Sequence, residues 1–285
     1  MTASCFSDLL ATGEFLVLPG VFDALSARIA ARAGAKALYM TGFGVVGAGF
    51  AVPDIGLVGP EVMTERVRSI AGSAAPVPLV ADGDNGFGGP NNVARLVRAY
   101  EQAGACTIQL EDQKLPKRCG HMAGKEVLPL DDAVANIRAA CAARQSADFR
   151  IVARTDARAE LGMDEALRRG EAFLKAGADL LFIEAPQSEA ELAKIGSIFR
   201  HVPLVANMVE DGKTPWLSLD ALRDLGYRVA LFPITALLSN ARHMESAYSA
   251  ILGGRAQDVG RMTFNEFTDV VGLSDAVSFA ERVRN

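Results

Sequence analysis

Histidine is scarce in this 285-residue chain, which has only three, and its four cysteines, Cys5, Cys106, Cys119 and Cys141, show no CxxC spacing. A His-rich zinc or iron centre is thereby excluded, and a chain this long needs no disulfide staples, so free thiols are expected. There is no basic block. Twenty-nine Lys and Arg against 34 Asp and Glu leave a formal net charge of −5 and a pI near 5.4, which argues against nucleic acid or an anionic membrane surface as partner. Long hydrophobic runs are missing as well. The longest uncharged stretch, between Lys36 and Asp54, is broken by Gly42, Gly44, Gly47 and Gly49 and ends in Pro53, too short to span a bilayer. The first basic residue is Arg28, so the amino terminus has neither a charged signal n-region nor the Arg-rich character of a transit peptide. The expectation is a soluble cytoplasmic protein with a small-molecule ligand.

Half of the residues are apolar, enough for a large core. A junction recurs along the chain: Ala33-Gly34-Ala35, Ala103-Gly104-Ala105, Ala176-Gly177-Ala178 and Leu225-Gly226-Tyr227, each reading as a helix closed by glycine and followed at once by a buried strand. These glycines are 70, 73 and 49 residues apart, or three, three and two units of about 24 residues, a reasonable length for a strand-helix unit. Eight units follow. Apolar runs place strands at 15–19, 37–41, 78–81, 106–110, 150–153, 179–183, 203–206 and 228–231. Eight strands alternating with helices predict a (β/α)₈ barrel, and with no low-complexity linker a single domain over 1–285. Asp131-Asp132 precedes one helix, and Asp164-Glu165 opens another. A helical extension over about 234–285 follows: Leu237, Leu238, Ala241, Met244, Tyr248, Ile251 and Leu252 keep helical spacing up to Gly253-Gly254, and Thr263-Phe264-Asn265-Glu266 reads as a capping box. Such helices either pack on their own barrel or are exchanged with another subunit.

Catalytic groups of such barrels lie at the carboxyl ends of the strands. Here the apolar runs end in Thr41-Gly42, Asp82-Gly83-Asp84, Glu111-Asp112, Arg154-Thr155-Asp156, Glu184 and Asn207. Scattered surface charge does not keep such a register, so one cavity is expected to gather these groups. Asp82, Asp84 and Glu111 offer hard oxygens suited to Mg²⁺ or Mn²⁺ rather than zinc; the competing reading of Asp-Gly-Asp-Asn-Gly is a plain turn. Cys119 stands among Lys117, Arg118, Gly120 and His121. Nearby positive charge favours its thiolate, pointing to a proton donor or acceptor, the alternative being an inert small hydrophobe. His121 is read as orienting or binding a carboxylate, against a solvated loop histidine, and Arg154 as a bidentate carboxylate binder, a role that coexists with a salt bridge to Asp156 or Glu184. Gly42-Phe43-Gly44-Val45-Val46-Gly47 fits GxGxxG, but Pro53 soon interrupts any helix that would carry a pyrophosphate. Gly212-Lys213-Thr214 fails as a P-loop, because Asn207 stands where the first glycine belongs.

With Asp82-Gly83-Asp84, Glu111-Asp112-Gln113, Lys117-Arg118-Cys119-Gly120-His121, Ala153-Arg154-Thr155-Asp156-Ala157, Ile183-Glu184-Ala185-Pro186 and Asn207-Met208 in place, the chain resembles the isocitrate lyase and phosphoenolpyruvate mutase superfamily from about Asp8 to Leu252. The resemblance implies a barrel, commonly tetrameric with its eighth helix swapped between subunits, and Mg²⁺ holding an α-oxycarboxylate. It implies that Thr41, Gly42 and Phe43 line the substrate carboxylate, that Asp54, Asp82, Asp84 and Glu111 form the metal shell, partly through water, and that Lys117 to His121 form a gating loop. By the same likeness Arg154, His121 and Asn207 would stabilise an enediolate that Cys119 protonates, with Glu184 among the catalytic groups and Gly120, Met208 and Pro233 among those meeting substrate. The cysteine loop resembles the carbon–carbon lyase branch and not the phosphonate mutases and hydrolases. Within that branch Lys-Arg-Cys-Gly-His is similar to methylisocitrate and 2,3-dimethylmalate lyases, and 207–215 to the dimethylmalate lyase, oxaloacetate hydrolase and petal-death group, whose first glycine of Glu-Gly-Gly is Asp211 here. The implied activity is cleavage of a 2-hydroxy dicarboxylate to an α-keto acid and a saturated acid. The alternatives are oxaloacetate hydrolysis or decarboxylation, P–C chemistry, and a non-catalytic metabolite-binding barrel.

Overall fold

The computed structural model describes residues 5–117 and 124–284. Eight parallel strands close into a barrel in sequence order: β1 (Leu16–Val21), β2 (Leu38–Met40), β3 (Leu79–Asp82), β4 (Thr107–Glu111), β5 (Arg150–Thr155), β6 (Leu180–Ile183), β7 (Leu204–Asn207) and β8 (Tyr227–Phe232), with β8 paired back on β1. The helices are α1 (Phe6–Ala11), α2 (Ala24–Arg32), α3 (Gly42–Phe50), α4 (Pro60–Ala74), α5 (Pro90–Gln102), α6 (Leu130–Ala143), α7 (Ala157–Leu161), α8 (Met163–Lys175), α9 (Glu189–Ile198), α10 (Leu219–Asp224), α11 (Thr235–Leu252), α12 (Phe264–Val270) and α13 (Leu273–Arg282). Each of Gly34, Gly104, Gly177 and Gly226 has φ between +93° and +107°. That left-handed conformation, cheap only for glycine, ends a helix and turns the chain into the next strand.

Side chains alternate across the strands, and the two sets have different partners. Leu16, Leu18, Tyr39, Val80, Val152, Leu180, Phe182, Val205, Val229 and Leu231 form the cluster inside the barrel, whereas Leu38, Met40, Leu79, Ala81, Ile108, Leu110, Ile151 and Ala153 pack outward against the helices. Helix α1 closes the amino-terminal end. Its Phe6 is 1% exposed and belongs to the interior cluster, and Ser7 accepts from Arg150 Nε at 2.8 Å. The strands run further than their apolar residues, because pairing continues to Asp82, Glu111, Arg154 and Asn207. Backbone pairing does not depend on side-chain polarity when the side chain points into an open mouth.

Two local expectations are adjusted. Asp131 and Asp132 lie inside the first turn of α6, which begins at Leu130, and do not precede it. Helix α11 stops at Gly253 as expected but carries no buried residue: Tyr248 is 64% and Leu252 88% exposed, so it does not pack its full length on its own barrel. Thr263 and Glu266 do form the capping box of α12. Cys5, Cys106 and Cys141 are free thiols. Among the described residues no helix is long and apolar enough to cross a membrane.

Candidate active site

Thr41, directly after β2, caps α3 by accepting from Gly44 N–H at 3.3 Å. This turn brings Gly42 against β3. Its N–H donates to Asp82 Oδ2 at 3.2 Å, and a Cβ at position 42 would lie 2.7 Å from that oxygen and 3.6 Å from Asp84 Oδ1. Only glycine allows the carboxylates to come this close to the backbone. Asp84 N–H donates to Asp82 Oδ1 at 3.1 Å, and Asp84 itself has φ +50°. Lys117 bridges Asp84 and Asp54, reaching Asp54 Oδ1 at 2.6 Å. Burial, then the neighbouring Asp84 charge, push the Asp82 carboxyl up, while Lys117 pulls it partly back. Burial also raises Asp84. Burial alone would lower Lys117, yet Asp84, Asp82, Glu111 and Asp54 hold its proton well above the ordinary lysine range.

Across the mouth, Arg154 from β5 is shared among three carboxylates. Its Nε lies 2.9 Å from Asp156 Oδ2 and 3.4 Å from Glu111 Oε2, its Nη2 3.1 Å from Asp156 Oδ1, and its Nη1 3.9 Å from Glu184 Oε2. The guanidinium also sits 5.1 Å from the Phe182 ring centroid. Asn207 Nδ2 donates to Glu184 at 3.3 Å. Burial pushes Asp156 up, but Arg154 and Lys125 together outweigh it and hold this carboxyl well below the usual range. Burial drives Glu111 well above that range in spite of Arg154. Both effects are at home in a functional cleft.

Of the predicted metal set, Asp82 and Asp84 are brought together. Glu111 adjoins them through its backbone, whose N–H donates to the Asp84 carbonyl at 2.8 Å, while its carboxylate turns toward Arg154. Among the described residues no three His, Cys, Asp or Glu side chains converge as a ready-made cage. The donor chemistry nevertheless fits a hard divalent cation. Among the described residues Glu111 Oε1 is buried without a hydrogen-bond partner, and the buried carboxylates Asp54, Asp84, Glu111, Asp112, Asp156 and Glu184, with half-buried Asp82, outnumber the buried cations Lys117, Lys125, Arg154 and Arg169. Such a negative surplus in low dielectric calls for a counter-charge.

Thr41, Gly42, Asp54, Lys117, Arg154, Glu184 and Asn207 therefore meet at one mouth, with Phe43 half-buried beside them. Pro233 is buried at the seam of β8 and β1, where a Cβ on Gly20 would run into its carbonyl. Met208 packs in the outer cluster with Leu204 and Ala206, tied by its N–H to the Leu231 carbonyl at 2.8 Å. Arg118, Cys119, Gly120 and His121 lie outside the described residues. Two residues escaped sequence reasoning. Lys125 donates to Asp156 Oδ1 at 2.7 Å, and Arg169 to Asp112 Oδ2 at 2.9 Å. Arg169 left a signal, since it shares the apolar stripe of α8 with Ala166, Gly170 and Phe173. Lys125, between Gly124 and Glu126, left none.

A closed parallel barrel that collects buried, charge-perturbed groups at the carboxyl ends of its strands is a (β/α)₈ enzyme. The family model described as phosphoenolpyruvate phosphomutase matches residues 6–252, and the chain belongs to that family, in the carbon–carbon lyase branch of the isocitrate lyase and phosphoenolpyruvate mutase superfamily. It is 43% identical over 276 residues to 2,3-dimethylmalate lyase of Eubacterium barkeri, covering 95% of this chain and 94% of that one. It is 37% identical over 276 residues to 2-methylisocitrate lyase of Bacillus subtilis, covering 96% and 90%. The structure of oxaloacetate acetylhydrolase in complex with the inhibitor 3,3-difluorooxalacetate superposes with a TM-score of 0.94 at 34% identity, covering 99% of this chain and 97% of that one.

Proposed function

We propose that the protein is a Mg²⁺-dependent lyase that breaks the C2–C3 bond of a 2-hydroxy dicarboxylate, of 2-alkylmalate or methylisocitrate type, by retro-Claisen cleavage to an α-keto acid such as pyruvate and a saturated acid. The observation that carries this reading is a paired acidic shelf, Asp82 and Asp84, sharing one mouth with the Arg154 guanidinium, with Glu111 turned to that guanidinium. That arrangement suits a substrate with an oxygen-rich end and a carboxylate end. Asp82, Asp84 and Glu111, with Asp54 behind Lys117, would hold Mg²⁺ or Mn²⁺, which when bound supplies Lewis-acid polarisation of the hydroxyl and α-carboxylate oxygens.

This chain's own groups supply the rest. The α3 turn at Thr41, Gly42 and Phe43 orients the α-carboxylate at a helix amino terminus. A carboxylate of the mouth accepts the C2 hydroxyl proton, and the C2–C3 electron pair moves to C3 as the carbonyl forms. Arg154, with Asn207 and His121, stabilises the resulting enediolate, and the Cys119 thiol delivers a proton to C3. Lys117 and Arg118 keep that neighbourhood cationic, Gly120 allows close approach, and Glu184 holds Asn207 in place. Oxaloacetate hydrolysis is the second reading, favoured by the likeness to oxaloacetate acetylhydrolase. A panel of 2-methylisocitrate, isocitrate, 2,3-dimethylmalate and oxaloacetate, with and without Mg²⁺, separates them. Pyruvate plus a saturated acid supports cleavage; acetate plus oxalate replaces it with hydrolysis.

We also propose that residues 1–285 act as one barrel domain with a helical extension over about 234–285, assembled in the cytoplasm as a homotetramer that exchanges α11. An apolar groove of about 750 Å³ beside β1 and α2, lined by Phe15, Val17, Leu25, Ile29 and Ala236, supports this, as does an α11 without a buried residue. Light scattering is expected to give four times the 30.1 kDa chain mass; a monomer would sink the assembly.

A further inference from the structure

We propose that Lys125 is a positioning residue that fixes the Arg154 guanidinium through Asp156. The proposal rests on the reading of Arg154 as the substrate-carboxylate binder. Asp156 is the hub: Oδ2 accepts from Arg154 Nε at 2.9 Å, and Oδ1 accepts from Arg154 Nη2 at 3.1 Å and from Lys125 Nζ at 2.7 Å. The Lys125 and Asp156 side chains are both 0% exposed. Behind the hub, Asp156 N–H donates to Asp112 Oδ1 at 2.9 Å, and Asp112 is clamped by Thr155 Oγ1 at 2.6 Å and Arg169 Nη1 at 2.9 Å.

Lys125 reaches this hub from a loop. Its segment is pinned to the end of β4 by two hydrogen bonds, Lys114 N–H to the Glu126 carbonyl and Leu128 N–H to the Asp112 carbonyl, each at 2.8 Å, which together make the antiparallel Gln113–Val127 bridge. Burying a lysine and a carboxylate completely is no efficient route to stability, since well-packed apolar residues commonly do as well. What the pair does provide is direction. Arg154 has two further carboxylates within reach, Glu111 at 3.4 Å and Glu184 at 3.9 Å, and only the hub holds it by two parallel bonds. Lys125 keeps Asp156 ionised and in register, so that Nη1 is left facing the mouth.

The test uses Lys125→Met, Lys125→Met with Asp156→Asn, and Lys125→Met in an Arg154→Gln background. Lys125→Met is expected to lower kcat/KM for the diacid that turns over by about 100-fold, the cost of a misplacement on the order of 1 Å, and to cost less than threefold more once Arg154 is already Gln. The double variant, which restores the charge balance that Lys125→Met upsets at the hub, is expected to recover the melting temperature but not kcat/KM. A turnover-independent readout is the ¹⁵N-arginine spectrum, in which the Arg154 Nε–H signal, assigned by its loss in Arg154→Gln, should move or broaden in Lys125→Met. An unmoved signal, recovery of kcat/KM with the melting temperature, or a full further loss in the Arg154→Gln background would overturn the proposal. If the wild type cleaves no diacid, the functional reading fails while the Nε–H signal still judges Lys125.

Discussion

The two ends of the barrel are built from the same strands with the same inward alternation, yet they differ in kind. At the amino-terminal end, Leu16, Leu18, Val80, Val152 and Leu180 close over Phe6 of α1 in an apolar cluster. At the carboxyl end, the inward positions are Asp82, Glu111, Arg154, Glu184 and Asn207, among which burial raises some carboxyls and ion pairs hold the sites together. One end earns stability by removing apolar area from water; the other keeps charges in low dielectric, where they are costly and reactive. Stability and function are thus laid along one axis, and substitutions should separate cleanly by which end they touch.

Cys119→Ser should have the largest effect at the carboxyl end. On the proposed mechanism kcat should fall by about 10³-fold, within the span of a positioned proton donor, with the melting temperature unchanged; product analysis and a thermal melt read both, and unchanged turnover would refute the assigned donor. The opposite end should answer in the opposite way. Phe6→Ala is expected to cost about 3 kcal/mol in a denaturant titration while kcat/KM of the remaining folded enzyme stays within about twofold, on the rule that the far end of such a barrel serves stability. A comparable loss of kcat/KM would break the division. Glu111→Gln should lower activity by about 100-fold, the lower range for a lost electrostatic contact, with no loss of stability in EDTA. Because the folded-state pKa of Glu111 is raised, its favourable contribution is complete below the unfolded carboxylate value of about 4.3 and is lost as pH rises through the folded value. Wild type should therefore lose ground to Glu111→Gln as pH rises from about 4.3, measured by paired melts. A wild type that gains on Glu111→Gln as pH rises would contradict the desolvation argument.

Much of this was legible in the chain because two signals are local. Glycines such as Gly104 and Gly177 mark helix ends through backbone conformation alone, and a polar residue directly after an apolar run marks a strand's carboxyl end. These gave the eight strands and the row from Asp82 to Asn207. Partnership was less legible. Arg154 could be paired in advance with Asp156 because they are two residues apart, but the third member, Lys125, arrives from another loop without any pattern in its neighbours. The turn of the Glu111 carboxylate toward Arg154 depends on side-chain rotation that no spacing encodes. Helical spacing in 237–252 was equally unable to say whether α11 lies on its own barrel.

Asp82, Glu111, Arg154 and Asn207 stand on strands hydrogen-bonded in an unbroken ring, not on loops. No two of their backbone positions can change separation unless neighbouring strands slide together, which the ladder resists. Substrate preference must then be tuned by what the strands do not carry, and relatives that share this frame are free to differ in the molecule they take while the frame itself stays rigid.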